Sequence, residues 1–366
     1  MKISTKKIMV VIGIAAGALI LGITAFFIVM TILEYRPEPV EALEIFDTGK
    51  NVLQDSPAPG ENIRILNWNI GYASLDASQD FFLDGGRSVK PKTDRNVHEN
   101  LKEICSLLAS RKAGINLLQE VDIDSSRSYH VNQIGPIREA LGGYSAHALN
   151  FKAFFVPFPV PNFIGKVSSG LFVQSGYGFH NAERISLPVP FTWPVRTANM
   201  KRCLLAFRIP LKNSGAELVV VNLHLEAYDN SGGREAQRQV LLDFLEEEYA
   251  KGNYCIAGGD FNQSFPGVDM EHFPIRDKDY FVPGLLSQAL LKNGWRFVSD
   301  METPSCRLLN KPYSGNPGDT QYYFIDGFIL SPNVVLRSVK TLNLEFRNSD
   351  HNPVELEAKL KNSDRT

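Results

Sequence analysis

Between Ile63 and Leu360 the chain is divided into short runs rich in β-branched and aromatic residues, several of which end on a polar side chain. The runs are Ile63–Ile70, Ile115–Val121, Gly170–Val173, Arg202–Ile209, Glu217–Leu225, Tyr254–Gly258, Tyr322–Leu330, Val334–Leu342 and Pro353–Leu360, many bounded by Gly, Pro, Asn or Asp. That punctuation reads as strands. Two helix-period patterns interrupt them, Asp94–Arg111 and Arg234–Tyr249; the second sets Val240, Leu241, Phe244, Leu245 and Tyr249 on one stripe, with Gly252 as its stop. Sheets and helices with one apolar face must bury it against each other, so the expected architecture is α/β: two stacked mixed β-sheets with helices outside. No internal repeat and no second domain boundary is legible after residue 61.

The N-terminal tenth obeys other rules. Ile8 to Leu33 carries no charge over 26 residues, about 39 Å as a helix, enough to cross a bilayer with some tilt. A cleaved secretory signal has a shorter apolar core and a small-residue cleavage site, whereas this one runs on into Phe26-Phe27-Ile28-Val29-Met30. Residues 8–33 are therefore expected to be an uncleaved transmembrane helix. Lys2, Lys6 and Lys7 precede it, while Glu34 and Arg36 nearly cancel after it; the positive-inside bias puts residues 1–7 in the cytosol and the rest outside, as a single-pass protein of the cell membrane. Gly13 and Gly17 form a small-xxx-small pair, too weak a signal to set an oligomeric state. Residues 34–61 hold Pro37, Pro39, Pro57, Pro59 and scattered acids, and read as an extended tether that does not pack on the domain. The domain itself is expected over 62–361, with a tail at 362–366.

The formal net charge is −2, and without the three N-terminal lysines the remainder is at −5. A globally basic surface is excluded, so no stable nucleic-acid partner is expected. Cys105, Cys203, Cys255 and Cys306 match no zinc spacing and are read as separate small core residues.

The polar residues that close the apolar runs carry the chemistry. Asn69 ends Ile65–Asn69 and Glu120 ends Ile115–Glu120; their oxygens are hard donors suited to Mg²⁺ or Mn²⁺, although each can also be a strand-ending turn residue. In Val219–Glu226, alternation puts Asn222, His224 and Glu226 on one side, where His224 is either functional or a satisfied structural histidine. Asp260 and Asn262 follow an apolar strand through Gly258-Gly259, where an Asx turn is the plain alternative. Asp326 interrupts Tyr322–Leu330, and an acid buried there without a partner costs on the order of several kcal/mol. His351 in Ser349-Asp350-His351 supplies the partner, since a carboxylate at one ring nitrogen fixes the tautomer and raises the basicity of the other. Asp350 points elsewhere, toward a metal.

These strings, in this order, resemble the endonuclease/exonuclease/phosphatase superfamily, and the similarity runs from about Ile63 to Leu360. The resemblance implies a four-layered α/β sandwich that hydrolyses phosphate esters with a divalent metal, usually Mg²⁺. It further implies that Asn69 and Glu120 are metal-binding positions with Asp350 a further ligand, and that His224 and His351 are the histidine pair of the deoxyribonuclease I and sphingomyelinase branches. Asp326 would then orient His351, and Asp260 and Asn262 would handle nucleophile and phosphate. Gly71 departs from the exonuclease III branch, which often has an acid there. Arg202 falls where relatives often use an arginine on phosphate, and a surface charge is the equal alternative. The implied reaction is in-line attack of water on phosphorus.

Two apolar, proline-rich segments, Phe151–Gly165 and Leu187–Pro194, read as stiff loops, either membrane- or ligand-facing or folded down as core. With the anchor and the negative domain they favour a lipid head group or another membrane-proximal phosphoester as substrate. An anchored extracellular nuclease and a non-catalytic binding module on the same fold are the alternatives.

Overall fold

The computed structural model describes residues 5–53, 56–228, 232–292 and 294–362. Residues 1–4 of the expected cytosolic segment, Lys2 among them, and 363–366 of the expected tail lie outside the described residues.

Two seven-stranded mixed sheets stand face to face among the described residues. The first has the order β1 (Val40–Ala42), β7 (His180–Ser186), β8 (Cys203–Pro210), β9 (Glu217–His224), β10 (Tyr254–Asp260), β16 (Asp326–Leu330), β13 (Arg296–Val298). The second has the order β17 (Val334–Thr341), β18 (Val354–Leu360), β3 (Asn62–Asn69), β4 (Ile115–Asp122), β6 (Gly165–Ser175), β5 (Tyr144–Val156), β2 (Phe46–Asp47). Two short pairs complete the strands: β11 (Gln263–Ser264) with β12 (Gly284–Leu285), and β14 (Cys306–Arg307) with β15 (Tyr322–Tyr323).

Alternation along the strands builds three apolar layers. Ile63, Ile65, Ile115, Leu117, Leu171 and Val173 of one sheet meet Leu205, Phe207, Leu218, Val220, Ile256 and Phe328 of the other. The opposite sides face helices. Val219, Val221, Leu223 and Ala257 pack on Leu241 and Leu245 of α4 (Gly233–Ala250). Leu66, Trp68, Leu118 and Phe172 pack on α2 (Asp94–Arg111) and α3 (Ile134–Leu141) through Val97, Leu101, Ile104, Leu108 and Ile137. Each such side chain contributes about 1.5–3 kcal/mol by leaving water. The result is the expected four-layered α/β sandwich. The four cysteines are unpaired, with Cys203, Cys255 and Cys306 buried.

The N-terminal helix α1 (Thr5–Ile32) contains Lys6–Ile32, long and apolar enough to cross a membrane. The segment after it is not the free tether expected from its prolines. Glu34 is buried against Arg196 and Lys201, β1 pairs antiparallel with β7, and β2 with β5. The prolines flank these short strands rather than fall inside them, so the intervening N–H groups remain available to cover one edge of each sheet.

Phe151–Gly165 also differs in part. Its prolines begin only at Pro157, and Phe151–Val156 extends β5 along β6 as far as the pair Val156↔Gly165. The loop proper exposes Phe158, Val160 and Phe163, and Leu187–Pro194 exposes Trp193. The run Tyr322–Leu330 is two strands: Tyr322–Tyr323 pairs with β14, and the chain then turns so that Asp326–Leu330 joins β10 and β13.

Candidate active site

The face of each sheet that looks into the sandwich changes character along its length. On β3 the inward positions run Ile63, Ile65, Asn67, Asn69; on β4, Ile115, Leu117, Gln119; on β9, Leu218, Val220, Asn222, His224; on β10, Tyr254, Ile256, Gly258, Asp260. Antiparallel β16 reads the same way in reverse, Leu330, Phe328, Asp326. One end of the sandwich is therefore apolar and the other is filled with amides, acids and imidazole. Register aligns the last row, with Asp260 opposite His224 on β9 and opposite Asp326 on β16.

A layer of amides separates the two ends. Gln119 Nε2 donates to Asn67 Oδ1 (2.8 Å) and Asn222 Oδ1 (2.7 Å), and Asn222 Nδ2 donates to the carbonyls of Leu118 and Phe172. Asn222, flagged on the same strand side as His224, is thus a tie between the sheets. Gly258 is required there, because a Cβ would fall 2.6 Å from the Phe328 ring and 2.9 Å from Leu117.

Asp260 is the focus of the row above. Its Oδ2 lies 3.1 Å from Asn69 Nδ2, 3.5 Å from His224 Nε2 and 3.8 Å from His351 Nε2, while Oδ1 accepts the Asn262 N–H at 2.9 Å. Asn262 has φ 50° and its Nδ2 donates to the Leu225 carbonyl at 2.8 Å. The Asx turn and the buried position therefore coexist. His351 Nδ1 meets Asp326 Oδ2 at 2.8 Å, both nearly inaccessible. The 349–351 loop is tied to β3 by Ser349 Oγ to the Asn69 carbonyl (2.8 Å) and by Trp68 Nε1 to the His351 carbonyl (2.9 Å).

Glu120 reaches Asn69 from β4, with Oε1 3.2 Å from Asn69 Nδ2. A bulge between Leu118 and Val121 and a φ of 55° at Glu120 turn its side chain out of the regular alternation. Asp350 lies against Gly71, whose φ is +51° and where a Cβ would sit 2.9 Å from Asp350 Oδ1. Glycine at 71 thus has a steric cause. Every residue singled out from the sequence, Asn69, Glu120, His224, Asp260, Asn262, Asp326, Asp350 and His351, is at this end of the sandwich.

Burial, then the charge of Asp326, pushes the Asp260 carboxyl up to about 7, and burial pushes Asp350 up to about 6. For His351, burial disfavours the charged ring, but Asp326, Cys306 and Asp350 outweigh it and raise the pKa well above the ordinary value. His224 goes the other way, held well below its usual value by burial and then by the charges of Arg202 and His351. The two rings are thus biased in opposite directions, His351 toward the charged form and His224 toward the neutral one, and His224 Nδ1 is buried with no hydrogen-bond partner among the described residues.

Arg202 is not a surface charge. It is buried, with Nε 3.1 Å from Glu226 Oε2 and Nη1 3.0 Å from the His224 carbonyl, and so braces that strand end. Cys306, expected only as a small core residue, has its thiol within 4.8 Å of donor atoms of Asp350 and His351. Arg127, which no sequence pattern marked, is stacked 3.7 Å from the Tyr72 ring and paired with Asp122 (2.9 Å) and Glu120 (3.8 Å). No sequence spacing marks either contact, because Cys306 on the two-residue strand β14 and Arg127 in a short helical turn reach the cluster only through tertiary packing.

The donors suit a divalent cation. The Asn69 and Glu120 side chains meet at 3.2 Å, and the Asp350 carboxyl, raised by burial and also by the charge of Glu120, sits where a bound cation would relieve it. Oxygen donors from Asn69, Glu120 and Asp350 are hard ligands of the kind Mg²⁺ takes.

The chain belongs to the endonuclease/exonuclease/phosphatase family, whose model matches residues 66–351. Members of that family are generally phosphoester hydrolases and typically use divalent metals. Among solved structures, the chain is similar to an endonuclease/exonuclease/phosphatase from Beutenbergia cavernae DSM 12333, at 17% identity and TM-score 0.56 over 82% of this chain and 72% of that one. It is also similar to a functionally unknown conserved protein from Enterococcus faecalis V583, at 16% identity and TM-score 0.51 over 82% and 100%. At these identities the likeness shows the fold. A search of curated proteins finds no match.

Proposed function

We propose that the protein is a membrane-anchored, divalent-metal-dependent phosphoric diester hydrolase whose domain lies outside the cytosol and acts on a lipid or another membrane-proximal phosphoester. The observation that carries the catalytic part is the convergence on Asp260 of Asn69, His224 and His351 within 3.1–3.8 Å. Asn69, Glu120 and Asp350 would hold the cation, which when bound supplies positive charge to the phosphoryl oxygens and leaving group.

The chain's own groups divide the remaining work. Asp260, with a pKa of about 7, is matched to accepting a proton from water near neutrality, where general-base catalysis is most effective. Neutral His224, 3.5 Å from it, orients the same water. Imidazolium His351, fixed by Asp326, offers its Nε2 proton to a departing alkoxide, a role worth about 10²–10⁴ in rate. Asn262 holds the Asp260 carboxylate in place through its backbone N–H.

Membrane-proximal substrate is supported by where the exposed aromatics lie. Trp193 Nε1 donates to Thr31 Oγ1 at 3.0 Å, and its ring is 5.7 Å from that of Phe27 on α1. Phe158 packs at 5.4 Å on Phe82, which begins the short helical turn Phe82–Asp84. Apolar side chains thus lie against the helix exit, and Lys6 and Lys7 in the first turn of α1 favour a cytosolic N-terminus.

The test is a substrate panel with Mg²⁺: sphingomyelin and phosphatidylinositol vesicles, plasmid DNA and phosphomonoesters. Hydrolysis of vesicle lipid above the other classes is expected. Preference for plasmid with no activity on vesicles would replace this reading by an anchored nuclease.

A further inference from the structure

We infer that the exit of α1 forms a second site, separate from the hydrolytic cluster, that binds the anionic phosphate head group of a lipid in the adjoining leaflet. The inference rests on α1 spanning a bilayer.

A cavity of about 360 Å³ opens where the chain leaves α1, lined by Glu34, Arg36, Arg184, Arg196, Lys201 and Arg202 among others. This volume is in the range of small-ligand sites, about 300–1,000 Å³. Five cations thus share a wall with one acid. Glu34 alone serves three of them, at 2.8 Å from Arg196, 3.1 Å from Arg36 and 3.3 Å from Lys201. Lys201, Arg184 and Arg202 are buried, and cations withdrawn from water need anions in proportion. Arg184 and Arg202 have their own partners, Glu41 at 3.7 Å and Glu226 at 3.1 Å, which leaves Arg36, Arg196 and Lys201 sharing the single carboxylate of Glu34.

Position names the anion. Glu34 follows the last helical residue, Ile32, by two, a span of at most about 7 Å. The cavity therefore begins where the hydrocarbon ends, at the depth of lipid phosphates. Trp193, hydrogen-bonded to Thr31, is an aromatic anchor of the kind found at that interface. A guanidinium-rich wall matches phosphate oxygens. Because Arg202 also holds the His224 carbonyl at 3.0 Å, an occupant touching Arg202 would steady the strand end that carries a site histidine.

The test uses the full chain in nanodiscs of phosphatidylcholine with a minor fraction of phosphatidylglycerol, with retained lipid read by native mass spectrometry. Co-elution of chain and disc checks the span independently. Retention of phosphatidylglycerol over phosphatidylcholine is expected. The double variant Arg36→Gln/Arg196→Gln changes one exposed and one half-buried side chain, with a thermal midpoint near wild type as the check on its fold; it is expected to lose roughly 25-fold in retention, at about fivefold per cation near a charged leaflet. A chain that stays in the disc but shows no lipid preference, or a preference unchanged in the double variant, would overturn the site while leaving the span intact. Displacement of the lipid by millimolar inorganic phosphate would show a small-anion site and overturn the lipid assignment. A chain that fails to co-elute with the disc would overturn both the span and the site.

Discussion

Asp326→Asn separates the charge of the His351 partner from its shape. The carboxylate lies 2.8 Å from His351 Nδ1, and both residues are almost fully buried. The amide is nearly isosteric and can still accept from the ring, so the fold should survive. What is lost is the first of the contributions that hold the imidazolium against burial. An opposite charge at this range is worth about 1–3 pKa units, or roughly 1.4–4 kcal/mol. With burial unopposed by it, His351 should become neutral at pH 7 in the variant, whereas in the wild type it remains charged. The assay is NMR titration of the His351 ring in metal-free protein, together with hydrolysis of bis-p-nitrophenyl phosphate in Mg²⁺. A drop in ring pKa and a fall in kcat of about 10²–10⁴ with little change in KM are expected. A variant whose ring still titrates above neutrality, or that turns over within about threefold of wild type, would refute the assignment of Asp326 as the group that holds the acid charged.

Three further outcomes follow from the same geometry. His224→Ala should remove most turnover, by about 10²-fold or more, while leaving the thermal midpoint close to wild type; wild-type rates would show the neutral ring to be structural only. Asp260 and Asp350 have folded-state pKa values near 7 and 6, above the ordinary 3.8, so the folded chain binds more protons than the unfolded one in that window. Their contribution is present below about pH 4 and is lost as pH rises through 6 and 7, by at most about 4 kcal/mol for Asp260; urea midpoints in metal-free protein should fall from pH 5 to pH 8 and recover with Mg²⁺, and a flat or rising midpoint would contradict the direction. Gly71→Ala forces a side chain to φ +51° and places its Cβ 2.9 Å from Asp350 Oδ1; a loss of about 1–2 kcal/mol in chemical denaturation is expected, and an unchanged midpoint would show that the loop yields.

The sequence showed the site more clearly than it showed the support beneath it. Asn69, His224 and Asp260 were legible because each closes an apolar run, and a side chain at that position on a stacked sheet has only the strand-end cleft to occupy; Asp326 was legible as an acid interrupting such a run. Asn67, Gln119 and Asn222 sit one inward step earlier on their strands, and the same alternation could have marked them as a cross-sheet layer. Glu120 was found for the right strand, but the bulge that turns it toward Asn69 has no local signature such as glycine. The pairing of residues 40–42 and 46–47 with sheet edges was not legible, because edge strands of two or three residues carry too few alternations to stand out from a proline-containing linker. Arg127, Tyr72 and Cys306 reach the cluster from two short helical turns and a two-residue strand whose approach depends on tertiary packing alone.

The central claim is that the acids and amides at this end of the sandwich hold a divalent cation that the hydrolytic chemistry needs. The most direct measurement is turnover of bis-p-nitrophenyl phosphate by chelator-treated full-length protein as Mg²⁺ is added back, repeated with Glu120→Gln. The account predicts no turnover without metal, saturable recovery with it, and a weakened Mg²⁺ requirement curve in the variant. Turnover that persists after chelation, or that responds identically in wild type and Glu120→Gln, would contradict it.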